Sequence, residues 1–168
     1  MELVEGEDCL GLLKSGKLTQ ARVVSILDGL LSALAAMHEA GVGHLDVKPS
    51  NIVLRNGTEP VLVDFGLAGR HLRVGCATPM YASPEVWGHT EEGVTATPFS
   101  ADVYSFGCVA YELLTGKMLF EASHVLASGG RNTGDETDRL FLARLAESAG
   151  QDFGIEMAGG APSRVRSS

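Results

Sequence analysis

The stretch "GHLDVKPSNIVLRNGTEPVLVDFG", residues 43–66, decides the architecture around which the chain is built. The segments 52–55 and 61–63 are short, mostly apolar and rich in β-branched residues, which predicts two β-strands. Asn56 and Gly57 lie between them, and this dipeptide accepts a positive φ at low cost. The stretch therefore predicts a small β-hairpin with polar residues at its ends.

Four polar side chains flank the predicted hairpin. Asp46, Lys48 and Asn51 precede the first strand, and Asp64 follows the second. Carboxylate and amide oxygens are ligands that Mg²⁺ accepts together with phosphate oxygens. A further carboxylate can orient a hydroxyl, and a lysine can neutralise a phosphoryl group in transfer. Each residue taken alone is equally well explained as a loop residue that makes caps and turns, so the residues by themselves leave both this explanation and a magnesium-dependent phosphate site open.

Composition limits the classes of protein that the chain can represent. It has 168 residues, of which 45% are hydrophobic and 20% charged, enough for one core. With 21 acidic against 13 basic residues, the net charge of −8 argues against a general binder of nucleic acid or anionic membranes. The three cysteines are odd in number and far apart, which predicts a reducing compartment and neither a disulfide framework nor a zinc site.

Targeting segments are not visible in the sequence. The start, "MELVEGEDCL", is acidic rather than basic, unlike a secretion signal. The longest apolar runs are shorter than a membrane span. The expectation is a cytoplasmic protein with no membrane insertion.

Helical periodicity dominates the rest of the chain. Residues 18–40 predict a helix with Thr19 as its N-cap, Gly41 as its end and an apolar stripe broad enough to be buried on most sides. Residues 100–116 predict a central helix capped by Ser100, apolar on nearly every side apart from Glu112.

The remaining segments carry weaker sequence signals for secondary structure. Residues 66–83 predict a long loop, and 83–87 a helical turn with Ser83 as cap. Residues 136–150 predict an amphipathic helix, and 151–168 a disordered tail. The predicted fold class is mainly α with a small β-hairpin.

Four motifs resemble those of one enzyme family. Residues 44–51, "HLDVKPSN", resemble the H-R-D-x-x-x-x-N catalytic loop of eukaryotic-type protein kinases, and residues 64–66 match D-F-G. "SPE" at 83–85 resembles A-P-E, and the helix that carries Asp102 resembles the central helix of the large lobe. The resemblance covers residues 1–150 and implies a kinase-like large C-terminal lobe, with the small N-terminal lobe missing.

The resemblance implies roles for the catalytic residues. Asp46 matches the base that accepts the substrate hydroxyl proton, and Asn51 and Asp64 match the Mg²⁺ ligands. Lys48 matches the lysine of serine/threonine kinases that contacts the γ-phosphate. Thr78 matches the threonine that contacts both the base and this lysine. The implied cofactors are ATP and Mg²⁺, and the implied partner is a protein with a Ser or Thr hydroxyl.

Further roles follow from the same resemblance. "MELVEGED" resembles the hinge between the lobes, so Glu2 and Val4 would offer backbone groups to adenine and Asp8 would meet ribose. Val53 belongs to the same nucleotide-binding set. His44 and Phe65 match buried stacking residues, and Asp102 matches a strut for the catalytic-loop backbone.

Two departures from the family pattern stand out. Leu45 replaces the Arg of H-R-D, which often pairs with a phosphate on the activation loop, and residues 67–77 contain no Ser, Thr or Tyr. Control by phosphorylation through that contact is therefore not expected. In addition, no glycine-rich loop and no V-A-I-K lysine precede the hinge-like segment.

Three hypotheses follow. The first is a partial serine/threonine kinase domain, the second a non-catalytic kinase-like binding or regulatory module, and the third an unrelated metal-dependent phosphate enzyme. The order of the motifs favours the first, with the isolated chain expected to transfer phosphate weakly or not at all.

Overall fold

The computed structural model describes residues 4–87 and 95–120. In chain order they form strand β1 (Gly6–Asp8), helix α1 (Cys9–Lys14), helix α2 (Gln20–Glu39), strands β2 (Ile52–Arg55) and β3 (Glu59–Leu62), and helix α3 (Pro98–Thr115). Short 3-10 turns at Pro49–Asn51 and Pro84–Trp87 interrupt the loops. The helix predicted at 136–150 and the tail predicted at 151–168 lie outside the described residues.

The predicted hairpin is present, with its second strand displaced. Strand β2 has the predicted bounds, whereas β3 occupies 59–62 rather than 61–63. Glu59 and Pro60 pair with Arg55 and Leu54, so the ladder extends back to the turn. Asn56 and Gly57 have φ values of 53° and 76°, which confirms the predicted turn.

The sheet has a third strand that the sequence did not predict. Strand β1 pairs antiparallel with β2, in the order β1-β2-β3. A segment of three residues, two of them acidic, carries no β-signal of its own, so it becomes a strand only because β2 offers it an open edge. The predicted fold class was therefore incomplete, since the hairpin belongs to a three-stranded sheet.

Helix α2 has the predicted cap and end but less burial than expected. The Thr19 hydroxyl accepts a hydrogen bond from the Arg22 amide, and Gly41, just past the helix, has a φ of 75°. Val24 and Leu31 are 57% and 49% exposed, so the prediction of burial on most sides was wrong. Sheet strand β3 and helix α3 pack against α2 on one face, where Val23, Ile26, Leu30 and Leu34 are buried.

By length and composition α2 is also long and apolar enough to cross a membrane. The prediction from the sequence concerned apolar runs such as residues 30–37, whereas this length includes the polar residues of the whole helix. The core helix of a soluble protein passes the same test, and four of its side chains lie in the core here. The absence of membrane insertion stays a prediction.

Helix α3 begins earlier than the sequence suggested. Its N-cap is Thr97 rather than Ser100, and the two residues form a reciprocal capping box. Gly116 ends it in the left-handed region, as predicted. The helix was predicted to be central, but Val103 is 61% exposed, so only part of its surface lies in the core, and Glu112 is buried there.

Two apolar clusters hold these elements together. The larger contains the buried faces of α1, α2, α3 and the sheet. The smaller, called here the loop cluster, lies beneath the loop that the sequence predicted at 66–83. Its buried members are Leu45, Ala82, Val86 and Ala101, and Leu67, Leu72, Ala77 and Trp87 pack against them half-buried.

The turn at Pro84–Trp87 confirms the predicted helical turn, although not its cap. The Ser83 hydroxyl is buried and has no hydrogen-bond partner among the described residues, so it caps nothing.

The three cysteines are free, and burial raises the pKa of Cys9 and Cys108 to about 12. Both thiols therefore act as small apolar groups.

Adjacent leucines of α2 test where the core lies. Leu30 is 1% exposed and Leu31 is 49% exposed. We expect Leu30→Ala to lower the free energy of unfolding by about 2–5 kcal/mol, since it removes buried methyl groups and leaves a cavity. Leu31→Ala, the matched control, should change it by less than about 0.5 kcal/mol. Urea denaturation followed by circular dichroism measures both, and equal losses would contradict the described packing of α2.

Candidate active site

The loop that carries Asp46 is held by a buried carboxylate of helix α3. Asp102 is fully buried, and its two oxygens accept hydrogen bonds from the backbone amides of His44 and Leu45, at 2.8 and 2.7 Å. His38, near the end of α2, contacts Oδ2 of the same carboxylate through Nε2 at 2.8 Å. The predicted role of Asp102 as a strut for this loop is thus present in the structure, with one further partner.

His44 joins this loop to the loop that follows β3. Its Nδ1 accepts from the Asp46 amide at 3.3 Å, so its Nε2 donates to the Val63 carbonyl oxygen, 3.0 Å away. Its ring lies edge-on to Phe65, with centroids 5.2 Å apart. Burial lowers the pKa of His44, which keeps the imidazole neutral at pH 7. Phe65 itself is 47% exposed, so its predicted burial was wrong.

Asp46 is the centre of the polar cluster that the sequence predicted. Its Oδ2 accepts from Lys48 Nζ at 2.6 Å and from Asn51 Nδ2 at 3.0 Å. Its Oδ1 accepts from the Thr78 hydroxyl at 2.6 Å, and Lys48 Nζ also lies 2.9 Å from that hydroxyl oxygen. The structure therefore brings three members of the predicted group, Asp46, Lys48 and Asn51, together with Thr78, which comes from a loop 32 residues further along the chain. The carboxylate of the fourth member, Asp64, accepts instead from the Gly66 amide at 3.3 Å.

These contacts set the charge of Asp46. Burial acts to raise its pKa, but hydrogen bonds from Lys48, Thr78 and Asn51, together with the Lys48 charge, outweigh it and lower the pKa from its ordinary value. Asp46 is therefore a carboxylate at neutral pH, ready to accept a proton or a hydrogen bond.

Asn51 and Asp64 are suited to a hard cation. The side-chain nitrogen of Asn51 donates to the backbone carbonyl and to the carboxylate of Asp46, at 2.9 and 3.0 Å. The side-chain oxygen of Asn51 therefore points away from Asp46. The Val63 amide donates to the Asn51 carbonyl at 2.9 Å, which fixes the residue before Asp64 beside Asn51. Asp64 is exposed and adopts a φ of 61°.

The donor set at this edge suits Mg²⁺ rather than a metal held by protein alone. Within 4–87 and 95–120 no group of three or more His, Cys, Asp or Glu side chains is arranged to hold a metal. One carboxylate and one amide oxygen are what Mg²⁺ uses when phosphate oxygens and water supply its remaining ligands.

The residues assigned to nucleotide binding are less closely grouped. Asp8 and Val53 are cross-strand partners in β1 and β2, and Val4 lies just before β1, half-buried. The Asp8 side chain caps α1 by accepting from the Gly11 amide at 2.8 Å, a role that the sequence reading missed. Glu2 lies outside the described residues. The nucleotide roles of these four residues stay predictions.

Sequence reasoning missed a second anchor, which holds the segment after Thr78. The Tyr81 hydroxyl donates to the buried Glu112 carboxylate at 2.7 Å, and the Ser105 hydroxyl donates to the Tyr81 carbonyl at 2.7 Å. The Tyr81 and Ala82 amides both donate to the Thr78 carbonyl. The one available signal was Glu112, an acidic residue on a helix predicted to be central and apolar on nearly every other side.

Comparison with known proteins agrees with this geometry. The protein kinase domain family matches residues 1–147, and the chain belongs to that family. It is 38% identical over 130 residues to serine/threonine-protein kinase PknH of Mycobacterium bovis, covering 73% of this chain and 21% of that protein. It is 35% identical over 159 residues to serine/threonine-protein kinase PknD of Mycobacterium tuberculosis, covering 90% and 21%.

A eukaryotic relative is also similar. Mitogen-activated protein kinase 14 of Xenopus laevis is 37% identical over 122 residues, covering 68% of this chain and 32% of that protein. The chain thus spans between a fifth and a third of the length of these relatives. The resemblance to eukaryotic-type protein kinases inferred from the sequence is confirmed.

The lowered pKa of Asp46 predicts a pH-dependent stability. A carboxyl group whose pKa is lower in the folded state stabilises that state above its unfolded pKa, and the contribution is lost as the pH falls through the folded value. We compare the free energy of unfolding of the wild type with that of Asp46→Asn. The difference should be constant near pH 7, and below about pH 4 the wild type should lose stability relative to the variant. Urea denaturation at a series of pH values measures it. A difference that does not vary with pH would contradict the hydrogen-bonded carboxylate described here.

Proposed function

We propose that the chain is the catalytic part of a serine/threonine protein kinase, which transfers the γ-phosphate of ATP to a Ser or Thr hydroxyl of a protein. The observation that carries the proposal is the contact of Asp46 with Lys48, Asn51 and Thr78, at donor–acceptor distances of 2.6–3.0 Å. Membership in the protein kinase domain family and the names of the similar mycobacterial proteins support the same conclusion.

Asp46 would position the attacking hydroxyl. Because its pKa is lowered, the carboxylate is a weak base that orients the hydroxyl by accepting its hydrogen bond. As the oxygen–phosphorus bond forms and the bond to the ADP leaving group breaks, the hydroxyl becomes acidic and its proton passes to Asp46. This order suits a transition state in which positioning contributes more than proton removal.

Lys48 and Thr78 would complete the reacting geometry. Lys48 Nζ lies within 3 Å of both Asp46 and Thr78, so it can turn its positive charge to the transferring phosphoryl group without leaving the cluster. The Thr78 hydroxyl holds the second carboxylate oxygen of Asp46 and thereby fixes the plane of the group. A lysine two residues after the aspartate supports a Ser or Thr hydroxyl as acceptor.

Mg²⁺ would be held by Asn51 and Asp64. When bound, the ion neutralises phosphate charge and orients the γ-phosphoryl group for in-line attack. The chain's contribution is to aim the Asn51 amide oxygen away from Asp46 and to hold Asp64 in place through the backbone of Val63.

A non-catalytic kinase-like module is the alternative, and the exposure of Phe65 favours it. The Phe65 ring is 47% exposed beside the site, and an exposed apolar ring of this kind is stabilised when a binding partner covers it. The same exposure leaves the Asp64 edge open to water, which weakens electrostatic stabilisation of a transferring phosphoryl group. We therefore expect phosphate transfer by the 168-residue chain alone to be weak.

Phosphate incorporation from γ-labelled ATP tests the proposal. With Mg²⁺ and a mixture of serine and threonine peptides, we expect Asp46→Asn to lower the rate by about 10²–10⁴-fold, since the hydroxyl loses its acceptor. Asp28→Asn, which changes an exposed carboxylate of α2, is the matched control and should retain the wild-type rate. Equal rates for Asp46→Asn and the wild type would contradict the assigned role.

A binding measurement separates the kinase from the alternative when transfer is too slow to detect. Mg²⁺ and ATP together should raise the Tm of the wild type, and Asp64→Asn should abolish the part that depends on Mg²⁺. A Tm that does not respond to Mg²⁺ and ATP, with no phosphate transfer, would favour the non-catalytic module.

A further inference from the structure

Leu45 occupies a position where a leucine is unusual. Its φ is 65°, in the left-handed region that L-residues with a branched side chain rarely adopt. Its amide is bonded to Asp102, and its chain neighbours are the buried His44 and the site residue Asp46. A disfavoured backbone of this kind persists only where the surrounding structure holds it, so its side chain needs a favourable environment.

That environment is the loop cluster. Leu45 is 7% exposed and packs with Ala82 and Val86 from the turn region and with Ala101 from α3. Leu67, Leu72, Ala77 and Trp87 of the overlying segment complete the cluster. One side chain of the catalytic loop thus belongs to the same apolar cluster as residues from both ends of the segment that carries Thr78.

The segment has few other attachments to the loop of Asp46. Gly69 exchanges two backbone hydrogen bonds with Gly43, each of 2.9 Å, whereas the bond from the Gly75 amide to the Val86 carbonyl, at 2.8 Å, lies within the segment. Between these bonds Arg70, Arg73 and Val74 are exposed. Apolar burial is therefore the main interaction available to hold residues 70–77 against the catalytic loop.

We propose that Leu45 is a positioning residue, whose packing in the loop cluster holds residues 67–87 in place without covalent modification, so that the Thr78 hydroxyl reaches Asp46 and Lys48. The segment from 67 to 77 contains no hydroxyl-bearing residue that a phosphate could modify, which agrees with an apolar attachment. The catalytic meaning of this contact rests on the proposed function, whereas the attachment itself can be tested without phosphate transfer.

Hydrogen exchange of single amides tests the attachment in the 168-residue chain. The measured quantity is the exchange rate of the Gly75 amide, divided by its sequence-dependent intrinsic rate and compared with the amides of strand β2, which report on global unfolding. We expect Leu72→Ser to raise this ratio about tenfold, because it removes an apolar side chain that packs against the loop cluster from the segment 67–87. Val74→Ser, the matched control, changes an apolar residue of the same loop that is 58% exposed and should leave the ratio unchanged.

Substitutions of Leu45 itself add a second comparison. Leu45→Ala should raise the Gly75 ratio as Leu72→Ser does, and Leu45→Met, which keeps the volume, should restore it towards the wild type. An equal acceleration of Gly75 and β2 amides in Leu45→Ala would show a merely structural role and overturn the proposal. If Leu45→Ala does not fold, the half-buried Leu72 decides the question, and equal ratios for Leu72→Ser and Val74→Ser would overturn it.

The amides of Tyr81 and Ala82, which both donate to the Thr78 carbonyl, test the link to Thr78. Leu72→Ser should raise their hydrogen-exchange rates relative to the amides of strand β2, because it releases the segment that presents the Thr78 hydroxyl. Unchanged relative rates in Leu72→Ser would overturn the positioning of Thr78 by the loop cluster, whatever the outcome of the phosphate-transfer assay.

Discussion

The buried carboxylate of Asp102 is the interaction on which the site depends. It lies on a central helix and accepts hydrogen bonds from two consecutive amides of the loop that carries Asp46, with His38 of α2 at the same carboxylate. A buried charge is costly unless such partners surround it, so the carboxylate and the loop backbone require each other. Helices α2 and α3 and the loop of Asp46 are thereby held in one arrangement.

The geometry of Asp46 follows from that anchor. With the amides of residues 44 and 45 fixed, Leu45 adopts the left-handed conformation and the chain turns so that Asp46 faces Lys48 and Asn51. Asp64 on the neighbouring loop is also left-handed, and His44 bonds the residue before it. Two of the three non-glycine residues with positive φ in the described part of the chain thus flank the site, where strained backbone serves positioning.

Local sequence signals predicted the elements that depend on local physics. The caps at Thr19 and Gly116, the Asn56-Gly57 turn and strand β2 agree with the structure, because each rests on a hydrogen bond or a φ preference within a few residues. Strand β1 was missed because its stability comes from an edge that β2 provides. The burial of Glu112 was missed because its partner, Tyr81, is 31 residues away in the chain.

By itself the sequence determined the family, the identity of the polar residues and their order. The reason is that the spacing between motifs is a property of the sequence and does not depend on the fold. It placed Asp46, Lys48, Asn51 and Thr78 in one group through resemblance, and the confirmed family membership agrees with that reading. Only the tertiary structure decided how the four meet and what holds the Thr78 segment over them. The physical reason is that hydrogen bonds across 30 residues or more, such as Thr78 to Asp46, and apolar contacts such as those of Leu45 exist only once separate elements have packed.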